Sequence, residues 1–117
     1  MVRLQNERGY ISISNAVFTN LTGNAATNCF GVKGMTVRSV TDGLVHLLRM
    51  ESMGKGVYVT YNNDSSISIE LHIAVDQGVN IPVICDSIEQ EVRYMVSKGT
   101  GVAIRRIDIF VDSIILG

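Results

Sequence analysis

The chain has 117 residues, 46% of them hydrophobic and 18% charged. That length suits one domain spanning 1–117 that buries about two-thirds of its unfolded surface without metal or disulfide staples, and the composition excludes disorder. Ten basic against eleven acidic residues leave a net charge of -1. A balance so near zero provides no global pull toward nucleic acid or an anionic membrane, and little repulsion against self-association.

Met1 to Tyr10 is polar and has no apolar h-region, so no signal peptide is expected. No run approaches the roughly 18 apolar residues that a membrane span needs. The mean hydropathy of +0.25 comes from short alternating segments. A cytoplasmic chain, reaching a membrane only through something else, is the expectation. Cys29 and Cys85 are far apart, lack a CxxC partner, and read as buried thiols of a reducing compartment.

In chain order, Tyr10-Ile11-Ser12-Ile13 alternates and predicts a short half-buried strand. Ser14 or Asn15 then caps a helix whose apolar stripe is Val17, Phe18, Leu21, Ala25 and Cys29. Gly23 costs that helix about 1 kcal/mol relative to alanine, which points to a close contact or a bend. Gly31 stops it. A turn at Gly31-Val32-Lys33-Gly34-Met35 leads to a strand around Thr36 to Ser39. Thr41-Asp42 begins a short helical stretch with Leu44, Leu47 and Leu48 on one face, ended by Gly54-Lys55-Gly56.

The second half carries stronger signals. Val57, Val59 and Tyr61 alternate, Asn62 to Ser66 turn, and Ile67, Ile69, Leu71, Ile73 and Val75 alternate with polar residues and Ala74. The two runs predict an antiparallel hairpin. Asn80 caps a second long helix, with Pro82 in its first turn and an apolar face of Ile84, Ile88, Val92, Met95 and Val96. Lys98 and Gly99 fit its C-terminus. A last strand sets Ile107, Ile109 and Val111 opposite Asp108, Phe110 and Asp112.

The order is strand, helix, strand, short helix, hairpin, helix, strand. The predicted fold class is α+β: a two-layer sandwich, with one mixed sheet and two main helices packed on one face. If the isoleucines face the helices, the other face shows Ser12, Tyr58, Thr60, Ser68, Glu70, His72, Asp108, Phe110 and Asp112. The rings of Tyr58 and Phe110 on a wet face suit a partner, though open sheets also carry scattered aromatics.

No catalytic constellation emerges. Glu70 and His72 share a face and could bind a metal weakly or relay a proton, but a solvated sheet face is the simpler reading. His46, four residues after Asp42, reads as ordinary helix-surface pairing. The glycine pairs Gly31/Gly34 and Gly54/Gly56 lack P-loop spacing, and Gly99-Thr100-Gly101 follows a helix where an anion site would precede one. No serine sits in a nucleophile elbow. The sheet lacks the basic-plus-aromatic motif of an RNA-recognition fold, so no nucleic acid, cofactor or metal is expected.

The succession Gly9-Tyr10-Ile11-Ser12-Ile13-Ser14, Gly31-Val32-Lys33-Gly34-Met35, Lys55-Gly56-Val57-Tyr58-Val59 and Ile69 to Val75 resembles the alkaline shock protein family of Gram-positive bacteria, to which the glucose-starvation stress proteins also belong. The likeness continues through Gly78, the helix from Ile84 to Val96, Val102 and Ile107 to Val111. It covers Gly9 to about Ile114 and is that of a short, single-domain member. Asp76-Gln77-Gly78 departs from it, since many relatives have an aromatic before the glycine. The resemblance implies a non-enzymatic cytoplasmic protein of envelope stress and homeostasis. Such a protein acts by self-assembly or through a membrane-anchored family relative. No catalytic residue carries over. The candidate partner surface is Tyr58, Glu70, His72, Asp108 and Phe110. The alternative is a lipid- or acyl-binding protein, or a small enzyme accessory to a fatty acid kinase-like partner, which needs an open cavity between helices and sheet.

Overall fold

The computed structural model describes residues 1–37, 46–47 and 56–116. Among these the chain forms β1 (Val2–Asn6), β2 (Gly9–Ile13), α1 (Asn15–Thr27), β3 (Val32–Val37), β4 (His46–Leu47), β5 (Val57–Tyr61), β6 (Ile67–Asp76), α2 (Ile81–Thr100) and β7 (Ile104–Ile115). The α+β class holds, with a mixed five-stranded sheet and both helices packed on it.

The organising element is β6. Its alternation sends Ile67, Ile69, Leu71, Ile73 and Val75 under the helices, where each is at most 1% exposed. Burial of side chains this size stabilises by about 1.5–3 kcal/mol apiece. One edge of β6 runs parallel to β7, from Ile67 opposite Ile104 to Asp76 opposite Ile115. Parallel pairing requires a crossover, and α2 supplies it. The other edge is shared: β5 pairs antiparallel with Ile67 to Leu71, and β3 pairs antiparallel with Ile73 to Val75. At the seam between β5 and β3 sits Gly56. A Cβ there would lie 2.7 Å from the Thr36 carbonyl oxygen and 3.3 Å from that of His72. Only glycine lets the two short strands meet end to side.

α2 follows its prediction closely. Asn80 Oδ1 accepts from the Val83 N–H at 3.2 Å, and Ile84, Ile88, Val92 and Val96 are buried. It ends at Thr100, one residue beyond Gly99, and there Gly101 takes the left-handed conformation and donates its N–H to the Ser97 carbonyl. α1 departs more. It ends at Thr27, so Cys29 lies in the following turn, and Val17 is 41% exposed while Phe18, Thr22, Ala25 and Ala26 are buried. Gly31 does adopt a positive φ, +90°, and a Cβ there would strike the Ile84 side chain. Gly23 is buried, in keeping with a close contact.

Two expectations are corrected. β2 does not join the main sheet: it pairs antiparallel with β1, Val2 opposite Ile13 through Asn6 opposite Gly9. Among the described residues β6 has both edges filled by β3, β5 and β7, whereas β1 is adjacent in sequence through a two-residue turn. Ile11 is therefore 61% exposed, and only Val2 and Ile13 at the hairpin base reach the core. Ser12 leaves the outer sheet face with it. The short helix expected from Thr41 falls mostly outside the described residues. The two described there, His46 and Leu47, pair with Val37 and Thr36 as a strand.

Candidate functional site

The face of the main sheet away from the helices is built on the even residues of β6. Register places Tyr58 and Asp108 on either side of Glu70, and Phe110 beside His72. Next, the β6–β7 ladder slips: Ile73 opposes Val111, yet Ala74 opposes Ser113. Asp112 is the extra residue of a bulge. Bulges re-aim side chains, and this one turns Asp112 toward His72.

The result is a compact cluster. His72 Nε2 lies 2.7 Å from Glu70 Oε2, and Nδ1 lies 2.8 Å from Asp112 Oδ2. Thr36 Oγ1 donates to the same Asp112 oxygen at 2.9 Å. The imidazole stacks on Phe110 with centroids 4.8 Å apart and planes 9° apart, and Tyr58 meets it edge-on at 5.7 Å. His72 is only 3% exposed. The expectation of a solvated histidine is thus overturned: its neighbours on β5 and β7 close over the ring.

The ring bridges two acids, with one carboxyl oxygen at hydrogen-bond distance from each of its nitrogens. Both ring nitrogens are thus occupied by carboxyl contacts. The Thr36 hydroxyl donates to Asp112, not to His72. The cluster is a cross-brace joining β3, β5, β6 and β7. Among the described residues, no three His, Cys, Asp or Glu side chains gather to hold a metal.

Of the five residues expected on this surface, Tyr58, Glu70, His72 and Phe110 come together. Asp108 lies in the row, but its carboxylate pairs with Arg106 at 3.0 Å. Phe110 stays 44% exposed above the ring. Sequence reasoning placed Asp112 on this face without giving it a role, and missed Thr36. Alternation shows which side a residue faces, but no local signal marks the bulge or the sharing of one edge by β3 and β5.

Away from the face, both thiols are chemically quiet. Burial and, secondarily, Glu91 push the Cys29 thiol up, and burial with Asp86 does the same at Cys85. Less thiolate means less nucleophile. Between helices and sheet the space is filled: Phe18, Ile69, Leu71, Ile73, Ile88 and Val92 are 0–1% exposed. No helix among the described residues is long and apolar enough to cross a membrane.

Helices roof one face of a mixed sheet and a braced histidine lies on the other, an α+β architecture. Residues 3–116 match the model of the alkaline shock protein 23 family, described by a cell envelope-related function, and the chain belongs to that family. It is 32% identical over 97% of its length to an uncharacterized protein of Bacillus subtilis (strain 168), YloU, covering 94% of that protein. It is 30% identical over 97% of its length to an uncharacterized protein of Streptococcus pyogenes serotype M6, covering 93% of that one. No solved structure matches the chain.

Proposed function

We propose that this chain serves the cell envelope as a non-enzymatic interaction module. It works from the cytoplasm and reaches the membrane through a protein partner. The reading is supported above all by Phe110: a large ring, 44% exposed, held on a rigid four-strand brace on the unroofed face. Exposed aromatics on preorganised scaffolds are the usual anchors of protein contacts. The surrounding surface of Tyr58, Glu70 and Asp108 adds a polar, acid-rich rim. The ligand-binding alternative has less support, because the interior it requires is filled by core side chains.

The test is site-specific photocrosslinking in cells, with a benzophenone amino acid at position 110 and, as control, at Tyr94, which is 54% exposed on α2. Adducts to a discrete protein from position 110 but not from 94 are expected. The Tyr58→Ala substitution should reduce them. Equal labelling from both positions would remove the outer face from the reading.

A further inference from the structure

We propose that the outer sheet face around Phe110 binds a cationic protein segment, one that lays an arginine across the exposed ring and against the Glu70 and Asp108 carboxylates. This rests on the interaction reading above and deepens it by fixing the chemistry of the partner. The register carries the argument. β6 and β7 are parallel neighbours, and Glu70 stands directly beside Asp108 on the outer face. Two carboxylates set side by side repel, and more strongly where the sheet displaces water from them. A third acid, Asp112, is swung onto the same face by the bulge and held there by His72 and Thr36. Against these three acids the outer row of β7 sets the Arg106 guanidinium, which reaches Asp108 at 3.0 Å, so the face stays acid-rich. A cation seated between Glu70 and Asp108 gains from both and relieves their repulsion.

Phe110 decides the form of that cation. The His72 imidazole covers one side of its ring, nearly parallel at 4.8 Å, yet the residue stays 44% exposed. A guanidinium is flat and weakly hydrated, stacks on aromatic faces and forks onto carboxylates; an ammonium is compact and strongly hydrated. Asp108 and Phe110 lie two residues apart on one face of one strand, roughly 6–7 Å, so a single arginine spans both. His72, held between Glu70 and Asp112, fixes the surface beneath the ring, so little remains to be ordered on binding. The same charges turn away phosphate: nucleic acid and anionic lipid headgroups meet the acids first. A wholly apolar partner would bury those acids without compensation.

The probe is an acetylated and amidated peptide of alternating arginine and serine, with lysine–serine and glutamate–serine peptides beside it, titrated into the isotope-labelled chain and followed by NMR. The arginine peptide should bind saturably, shift the resonances of Glu70, Asp108 and Phe110, and weaken as salt is raised through about 0.05–0.5 M. The lysine peptide should bind more weakly and the glutamate peptide not at all. Asp108→Asn should weaken the arginine peptide about two- to fivefold, the scale of one exposed ion pair. Asp108→Lys should weaken it at least about tenfold, since it sets like charges together. Asp86→Lys makes the same charge change at an exposed position of α2 and should leave binding within about twofold, because salt screens a distant charge. Phe110→Leu, which keeps bulk over His72, should erase the preference for arginine over lysine. No saturable binding, shifts confined to other surfaces, equal losses for Asp108→Lys and Asp86→Lys, or an arginine preference that survives Phe110→Leu overturns the proposal. In cells, Asp108→Lys should also abolish the photocrosslinks from position 110. Adducts that survive it overturn the cationic partner and leave the outer-face reading standing, whereas equal labelling from positions 110 and 94 removes that reading itself.

Discussion

β2 and β6 carry the same kind of pattern and meet opposite fates. Tyr10-Ile11-Ser12-Ile13 alternates as regularly as Ile67 to Val75, yet Ile11 is 61% exposed and Ile69 only 1%. Alternation makes both segments strands. What buries an alternating strand is the number of neighbours it acquires. β6 has three strand partners and a helical roof; β2 has only β1 among the described residues.

The comparison predicts unequal responses to truncation. Leu71→Ala should cost about 2–5 kcal/mol, because it removes fully buried methyl groups and leaves a cavity. Ile11→Ala in the hairpin should stay within about 0.5 kcal/mol. Urea titration measures both, and comparable losses would show that the hairpin packs in solution. The outer side of β6 comes next. His72→Leu keeps ring-sized bulk but removes the donor group between Glu70 and Asp112, leaving Asp112 the Thr36 hydroxyl. A fully buried pair broken this way costs about 3–5 kcal/mol. The two carboxyl side chains are 29% and 22% exposed, so water recovers part of it and about 2 kcal/mol is expected. Adding Glu70→Gln to His72→Leu should restore some of the loss; no recovery would mean that packing on Phe110, not charge, dominates.

α1 offers a gain. The Thr22 hydroxyl is buried with no hydrogen-bond partner among the described residues. Thr22→Val preserves the shape and should raise stability by about 1 kcal/mol, as the desolvated group disappears. A loss in the same titration would reveal a partner for the hydroxyl. The smallest effect belongs to the turn that feeds β6. Ser66 donates to Asp64 from its hydroxyl and its backbone N–H, and these bonds hold the Asp64 carboxyl below its ordinary 3.8. A lowered folded value means stability present above the unfolded value and lost as pH falls through the folded one. Asp64→Asn should therefore melt below the parent near neutrality, and the gap should begin to narrow below about pH 4 and vanish only below the lowered folded value. A gap constant with pH would assign the effect to turn geometry instead of charge.

How much of the site was legible follows from the same physics. Tyr58, Glu70, His72 and Phe110 could be placed on one face because a strand's side chains alternate strictly. That His72 is walled in could not be read, because it depends on Asp112, some 40 residues away, being swung inward by a one-residue slip in the ladder. Thr36 reaches the cluster only because Gly56 lets β3 and β5 share an edge. α2 was the most legible element, since its cap, proline and apolar period all act within a few residues.

Local chemistry in the sequence thus settled the types of β2, α1, β5, β6, α2 and β7, the inner face of β6 and most of the span of α2, because dihedral preference, capping and side-chain period are short-range. Tertiary structure alone decided that β2 leaves the main sheet, that β6 has three partners, and that an outward-facing histidine ends up buried between two carboxylates. Those outcomes depend on which strand wins each edge, a competition among distant segments that no local window contains.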